Sequence, residues 1–146
     1  MKILILAIGK MKKNAPEALI IAEYAKRLSW TLEIKEKDNA SQAEEAAFLL
    51  GSVPDGAKVV VLDERGENMS SSELAKRIGN WQAHGASCIC FLIGGADGHL
   101  PEVRERADLV LSFGKLTLPH LLMRAVLAEQ IYRVESILKG HPYHRE

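Results

Sequence analysis

Three short runs of apolar residues constrain the fold of this chain more than any other feature. They cover Lys2–Ile8 (KILILAI), residues 58–62 (KVVVL) and Cys88–Ile93 (CICFLI). Strands that are buried on both faces show such continuous runs, whereas strands with one wet face alternate apolar and polar residues. Segments with helical spacing separate the runs. The sequence therefore predicts an α/β fold, with a parallel sheet covered by helices on both sides.

Capping and turn residues predict the remaining elements. Two weaker strands are expected, an edge strand at residues 30–35 and a short strand at residues 109–112. Helices are expected to begin at an N-cap or a proline and to end at a glycine or loop, over residues 15–28, 41–50, 70–83, 101–107 and 119–139. The chain contains no repeat, linker or low-complexity stretch. Residues 1–146 are therefore predicted to form a single domain.

The composition of the 146 residues excludes several classes of protein. Hydrophobic residues make up 47% and charged residues 26% of the chain, which is too apolar for a disordered chain. No apolar run approaches the roughly 20 residues of a membrane helix. The N-terminus leads directly into a strand without a signal-peptide cleavage site, which predicts a cytoplasmic protein with its two cysteines reduced. Nineteen basic and nineteen acidic residues cancel, so a nucleic acid would have to bind a local patch.

Two loops at the carboxyl edge of the predicted sheet are the candidate ligand site, because ligands of such sheets bind at that edge. Residues 94–99 (GGADGH) follow a buried strand, and their glycines expose backbone N–H groups. A tight turn without a ligand is the alternative. Residues 113–120 (FGKLTLPH) are poor in polar side chains and could enclose a flat ring. A buried connection under the last helix is the alternative for this loop.

Charged and polar clusters supply further candidates. Lys10, Lys12 and Lys13 follow the first strand and could contact a phosphate or form a solvated loop. Residues 63–66 (DERG) leave a strand at the same edge, as acid–base groups or as a turn. The terminal His141–Glu146 (HPYHRE) contains two imidazoles, a phenol and a guanidinium, unless it is a solvated end. No metal site is predicted, because His141 and His144 lack accompanying ligands.

The last helix is apolar on two sides, which indicates two packing partners. In a small domain the sheet can be one of these partners, and a second copy of the chain can be the other. The sequence therefore predicts a homodimer through this helix. The residues that form the two sides are Leu121, Leu122, Ala125, Val126, Leu127, Ala128, Ile131, Tyr132, Val134 and Leu138.

Five motifs together resemble one known family. They are LDERG (62–66), FLIGGADG (91–98), LTLPH (116–120), EQIYR (129–133) and HPYHRE (141–146). The combination is similar to the RlmH family of the SPOUT superfamily, and it spans the whole chain. The resemblance implies a trefoil knot in the C-terminal part and an obligate homodimer. It also implies methyl transfer from S-adenosylmethionine to N3 of pseudouridine 1915, in helix 69 of 23S rRNA on the assembled 70S ribosome.

The resemblance also implies which residues bind the cofactor and which act on the substrate. Positions that match the family's cofactor contacts are Leu62, Gly94, Phe113, Gly114, Lys115, Leu116, Thr117 and Leu118. The expected catalytic residues are Arg133, Tyr143, His144 and Arg145.

The N3 proton of pseudouridine must leave, and the imidazole of His144 or His141 is the type of side chain that commonly accepts a proton near neutral pH. Tyr143 could stack on the base or hydrogen-bond to it, while the arginines could hold phosphate or developing negative charge. The identity of the base stays open, since Asp63, Glu64, His120 or water could also serve. Two other functions stay open as well: a module that binds without catalysis, and a SPOUT methyltransferase that acts on tRNA.

Overall fold

A computed structural model describes residues 1–145, which form one parallel sheet and its covering helices. The strands are β1 (Lys2–Ile8), β2 (Thr31–Lys37), β3 (Lys58–Asn68), β4 (Cys88–Ile93) and β5 (Leu109–Ser112). The helices are α1 (Pro16–Arg27), α2 (Gln42–Gly51), α3 (Ser71–Ala83), α4 (Pro101–Arg106) and α5 (His120–Lys139). The strand order is β2-β1-β4-β3-β5, and all four neighbouring pairs are parallel. The predicted α/β fold is confirmed.

The three apolar runs form the central strands, and both faces of the sheet are buried. On one face, side chains such as Ile3, Ile5 and Phe91 pack with residues of α3 and α5. On the other face, Leu4 and Leu6 pack with residues of α2 and α4. Alternate residues of one strand therefore belong to two separate cores, which explains why no charged residue follows the first position of these runs.

The two cysteines are free thiols in this core. Cys90 is buried and Cys88 is partly buried. Burial raises the pKa of the Cys90 thiol to about 12, so this side chain stays protonated and unreactive at neutral pH. In residues 1–145, no helix has the length and apolarity needed to span a membrane.

The structure corrects the predicted end of the second apolar strand. β3 does not stop in a turn after Leu62 but continues to Asn68. Leu62 and Glu67 both lie opposite Leu111 of β5, so the residues between them form a bulge in the strand. A Cβ atom at Gly66 would lie 2.6 Å from the carbonyl carbon of Val110, so only glycine fits where the bulge passes the backbone of β5. The alternative of a turn at residues 63–66 is wrong, because these residues belong to a bulged strand whose pairing with β5 no local pattern contains.

Helix α5 packs against the sheet and lies against both α1 and α3 of its own chain. Ala125 and Ala128 meet Ile21 of α1 in a small apolar cluster. The second apolar side of α5 is therefore covered within the chain, and its pattern does not require a second copy. Gly140 ends the helix with a φ of +71°, in agreement with the predicted stop.

A buried carboxylate on α5 holds the segment that leads into β2. Glu135 accepts hydrogen bonds from the backbone N–H groups of Ser29 (3.0 Å) and Trp30 (2.9 Å) and from the Ser29 hydroxyl (2.7 Å). Burial raises the pKa of Glu135, but these hydrogen bonds outweigh it and leave the pKa below its ordinary value of 4.5. The ionised carboxylate therefore stabilises the folded chain.

We expect Glu135→Gln to lower the free energy of unfolding at neutral pH by about 1–3 kcal/mol, because strong acceptors of buried N–H groups are lost. A lowered folded pKa gives a contribution that is present above the unfolded pKa and is lost as the pH falls through the folded value. The difference between the two proteins should therefore shrink below about pH 4.5. Urea unfolding at neutral and acid pH measures this difference in the free energy of unfolding. Glu105→Gln, at an exposed position, is the control. A difference that stays constant with pH would contradict the role of the ionised carboxylate.

Candidate functional site

A cavity of about 330 Å³ lies at the carboxyl edge of β3, β4 and β5. The bulge of β3 forms one wall, the loop after β4 forms the second, and the loop between β5 and α5 forms the third. The two loops that the sequence singled out therefore face each other across one space. Seven of the eight predicted cofactor residues line it: Leu62, Gly94, Phe113, Gly114, Leu116, Thr117 and Leu118. Lys115, the eighth, is exposed and is not among the lining residues.

The loop after β4 lines the cavity with the backbone of Gly94 and Gly95, because a side chain at either residue would meet atoms that already occupy the space. A Cβ atom at Gly95 would lie 2.9 Å from Oε1 of Glu45 and 3.1 Å from Cγ2 of Ile8. A Cβ atom at Gly94 would lie 3.0–3.2 Å from three atoms of the His99 ring. A tight turn does form here, since the Gly98 N–H donates to the Gly95 carbonyl (3.0 Å). The loop is thus both a turn and a cavity wall.

The apolar loop between β5 and α5 is not a buried connection. Leu116 is 85% exposed, and residues 115–117 are all exposed. The start of the loop is fixed by Ser112, which exchanges two 3.1 Å hydrogen bonds with the backbone of Gly114. An exposed leucine on a loop at a cavity mouth gains burial only when a partner or ligand covers it. The loop therefore has the apolar surface needed to cover a flat ring.

His99 is the buried histidine of this cavity; the sequence placed it at the end of the candidate loop 94–99 but assigned no role to its side chain. His99 is only 7% exposed, and its two ring nitrogens have no hydrogen-bond partner among the described residues. Burial lowers the pKa of the ring, while the carboxylate of Asp63 and the nearby carbonyls of Leu62 and Leu92 partly offset that effect. The ring is therefore neutral at physiological pH. The only signal in the sequence was a histidine directly after the glycine-rich turn.

Arg104 of α4 connects this histidine to the bulge of β3. Its Nη1 donates to the backbone carbonyl of His99 (2.8 Å) and lies 3.6 Å from Oδ2 of Asp63. The Asp63 side chain is nearly buried, and its carboxylate also accepts the Arg65 N–H (2.9 Å) and lies 3.8 Å from the exposed Arg65 guanidinium. Arg104 is thus the more buried of its two cationic partners. Arg104 thereby holds two walls of the cavity together.

The terminal segment folds back along α5 rather than extending into solvent. The Tyr143 hydroxyl donates to Oε2 of Glu129 (2.6 Å), and its ring packs edge-on against Tyr132, with 4.7 Å between centroids. Arg133 lies over the same ring at 4.8 Å and pairs with Glu129 at 2.8 Å. Burial and the bond to Glu129 raise the pKa of Tyr143, so the phenol stays protonated. The alternative of a solvated end is wrong for Tyr143.

His144 lies beside Arg133, with 3.1 Å between Nδ1 and Nη1. A guanidinium only donates, so Nδ1 must be the acceptor in this arrangement and the proton of a neutral ring is on Nε2. Nε2 lies 3.5 Å from the Ser72 hydroxyl at the start of α3. Arg145 is exposed, and Glu146 lies outside the described residues.

Within one chain, the cavity is separate from the terminal segment 141–145, called the tail below. None of the four predicted catalytic residues lines the cavity. The lysines after β1 do not line it either, and Lys10 lies 3.6 Å from the carboxylate of Asp38. Across residues 1–145, no group of three or more His, Cys, Asp or Glu side chains could hold a metal ion.

Comparison with known proteins decides the family. A family model described as "Predicted SPOUT methyltransferase" matches residues 1–144. The chain belongs to the SPOUT methyltransferase family. It is 49% identical over 152 residues to the ribosomal RNA large subunit methyltransferase H of Paramagnetospirillum magneticum, covering 99% of both chains. It is 48% identical to the protein of the same name from Zymomonas mobilis, covering 100% of this chain and 99% of the relative.

A solved structure supports the SPOUT fold independently of sequence. A probable methylase family protein from Haemophilus influenzae superposes with a TM-score of 0.57 at 10% identity, covering 99% of this chain and 70% of that one. SPOUT methyltransferases use S-adenosylmethionine as methyl donor. The cavity fits such a ligand in size, in its exposed apolar loop and in an unpartnered buried imidazole.

Proposed function

We propose that this chain methylates the large-subunit ribosomal RNA, at N3 of pseudouridine 1915 in helix 69 of 23S rRNA, on the assembled 70S ribosome. The observation that carries the proposal is the cavity, because seven of the eight positions expected to contact the methyl donor surround one space. The close similarity to relatives named as ribosomal RNA large subunit methyltransferase H supports the RNA class. We further propose that residues 1–146 are one cytoplasmic domain with a trefoil knot in its C-terminal part.

The cavity residues divide the binding work among them. The backbone at Gly94 and the residue Leu62 form one wall, while the lining residues of the loop 113–118 would cover the ligand and exclude water. S-adenosylmethionine, when bound, supplies a methyl group already activated on a sulfonium. The chain therefore mainly has to align the reacting atoms, and alignment can lower the barrier by about 7–11 kcal/mol.

Arg133 of α5 and the tail residues are the groups that would act on the charge and the proton of the acceptor base. Arg133 and Arg145 would bind phosphate or stabilise negative charge that develops on the uracil ring. His144 is the proposed base for the N3 proton. Its Nδ1 accepts a hydrogen bond from Arg133, so this contact has to open before that nitrogen can take a proton. Tyr143 remains a neutral phenol that can stack on the base or donate to it.

A homodimer would bring these two half-sites together. The tail of one chain does not line its own cavity, yet methyl donor and acceptor must meet within bonding distance. We therefore propose that the tail of one protomer completes the cavity of its partner. Exposed leucine and isoleucine side chains are available for such an interface: Leu19, Ile20, Leu116, Leu122 and Leu138.

Labelled S-adenosylmethionine tests the activity directly. Purified chain is incubated with 70S ribosomes, free 50S subunits or tRNA, and the modified nucleotide is mapped by mass spectrometry. We expect incorporation into 23S rRNA of 70S ribosomes at one pseudouridine. Incorporation into tRNA would contradict the substrate, and ribosome binding without incorporation would indicate a binding module.

Complementation tests the shared site. Gly94→Val places a side chain against the His99 ring, while His144→Ala removes the proposed base. Each variant should be inactive alone, and a mixture that exchanges subunits should regain activity through one intact hybrid site. Light scattering on each variant checks that it still forms a dimer. A mixture without activity would mean that cavity and tail act within one chain.

A further inference from the structure

The imidazole of His99 is a buried polar group of the cavity to which the proposed mechanism gives no role. Both ring nitrogens are buried, and within residues 1–145 neither has a hydrogen-bond partner. Leaving such a group unsatisfied costs about 1–3 kcal/mol, so a protein that keeps one normally satisfies it with a water or a ligand.

The described surroundings of the ring offer acceptors but no donor, because the nearby backbone carbonyls of Leu62 and Leu92 can only accept. A donor for the second nitrogen has to come from a side of the ring that is still open. Behind it, toward Glu45 and Leu49, a small gap has no space for a water molecule. Above it, the Gly94 backbone is so close that a Cβ atom would lie 3.0 Å from the ring. The remaining side is the 330 Å³ cavity, which His99 lines.

We propose that His99 is a further ligand-binding residue, whose ring hydrogen-bonds the adenosyl part of the molecule held in the cavity. The inference rests on the proposed function, because it takes S-adenosylmethionine as the ligand. It adds a specific contact at a position that was not among the expected cofactor residues.

The charges around the ring favour the nucleoside part over the amino-acid part of the ligand. Asp63 lies near His99, so a ligand carboxylate placed at the ring would face the carboxylate of this chain. Arg65, the cation that also lines the cavity, lies 3.8 Å from Asp63. Arg104 is already engaged by Asp63 and the His99 carbonyl. Burial keeps the ring neutral, with one donor and one acceptor, which matches a ribose hydroxyl or a purine nitrogen.

Two substitutions separate a binding role from a packing role. His99→Phe keeps a flat ring against Gly94 but removes both nitrogens, and His99→Gln keeps a donor and an acceptor. Because the phenyl ring has no buried polar atom to leave unsatisfied, His99→Phe should melt at the same temperature as the unsubstituted chain or higher. His84→Gln, at an exposed histidine that ends α3, is the matched control.

Calorimetry with S-adenosylhomocysteine and with 5′-methylthioadenosine, which lacks the amino-acid part, is the test. We expect His99→Phe to weaken both ligands by about tenfold, His99→Gln by no more than about threefold, and His84→Gln not at all. Equal affinities for His99→Phe and the unsubstituted chain would overturn the inference. A loss confined to S-adenosylhomocysteine would overturn the adenosyl assignment.

Ring-nitrogen NMR on histidine-labelled protein covers the case in which His99→Phe does not fold. Both ligands should shift the His99 signals, which are assigned by their absence in His99→Gln, and unshifted signals would overturn the inference. Failure of the unsubstituted chain to bind either ligand would overturn the proposed function, and this contact with it. Binding without a His99 effect would overturn this contact alone.

Discussion

Replacing Arg124 with alanine should destabilise the chain by about 3–5 kcal/mol, because it leaves a carboxylate without its buried partner. Arg124 is 1% exposed, pairs with Glu36 of β2 and donates to the carbonyls of Gly9 (2.8 Å) and Ile8 (3.3 Å). Glu36 also accepts the Met11 N–H (2.9 Å). One guanidinium thus connects α5, β2 and the end of β1. Thermal unfolding should show a loss on the order of 10–20 °C.

Two further proteins control this experiment. Arg27→Ala removes a solvent-exposed pair with Glu23 and should change stability by less than about 1 kcal/mol. Replacing Arg124 and Glu36 together with leucines removes both charges and should recover part of the loss. If Arg124→Ala melts within a few degrees of the unsubstituted chain, the network does not stabilise the fold.

Replacing Arg133 with alanine should lower methyl transfer to ribosomes by about a hundredfold, the size of effect seen when one stabilising donor is removed from a reaction centre. Arg133 does not line the cavity of its own chain, so the affinity for S-adenosylhomocysteine should be nearly unchanged. Arg133→Lys keeps the charge but not the planar donor set, and should recover only part of the rate. Single-turnover rates and calorimetry on the same preparations separate the two effects.

The control for Arg133 is Arg106→Ala, which removes an exposed arginine that lies 3.7 Å from Asp108 and away from the cavity. Its methyl-transfer rate should match that of the unsubstituted chain. A loss of ligand affinity equal to the loss of rate in Arg133→Ala would instead make Arg133 part of the cofactor site.

The sequence was sufficient for the sheet and for the place of the cavity. A continuous apolar run such as Cys88–Ile93 is short for a helix and is followed by two glycines, which together indicate a strand that is buried on both faces. The paired glycines after β4 were equally informative, because Gly94 and Gly95 have no space behind them for a side chain. Both signals are local, and each depends only on a strand and the loop that follows it.

Features that depend on distant contacts were less predictable. The extension of β3 through Gly66 depends on its close crossing with Val110, which no local pattern contains. The apolar sides of α5 suggested a second chain, but α1 covers one of them, and periodicity cannot tell which partner fills a surface. A solvated end was the alternative for the terminal segment, whereas Tyr143 contacts Glu129 and Tyr132 of α5.

The strand order has a consequence for how the chain acquires its structure during synthesis. β1 is synthesised first, yet the strand that pairs with its inner edge is β4, with Lys2 opposite Cys88. One face of β1 is then covered by α5, which comes from the end of the chain. Only β2 can pair with β1 early. Pairing across such separations is slow, and an apolar strand that waits for its neighbour can aggregate. A ribosome must therefore release nearly all of this chain before its first strand is buried, and co-translational chaperones have their longest opportunity to act on residues 2–8.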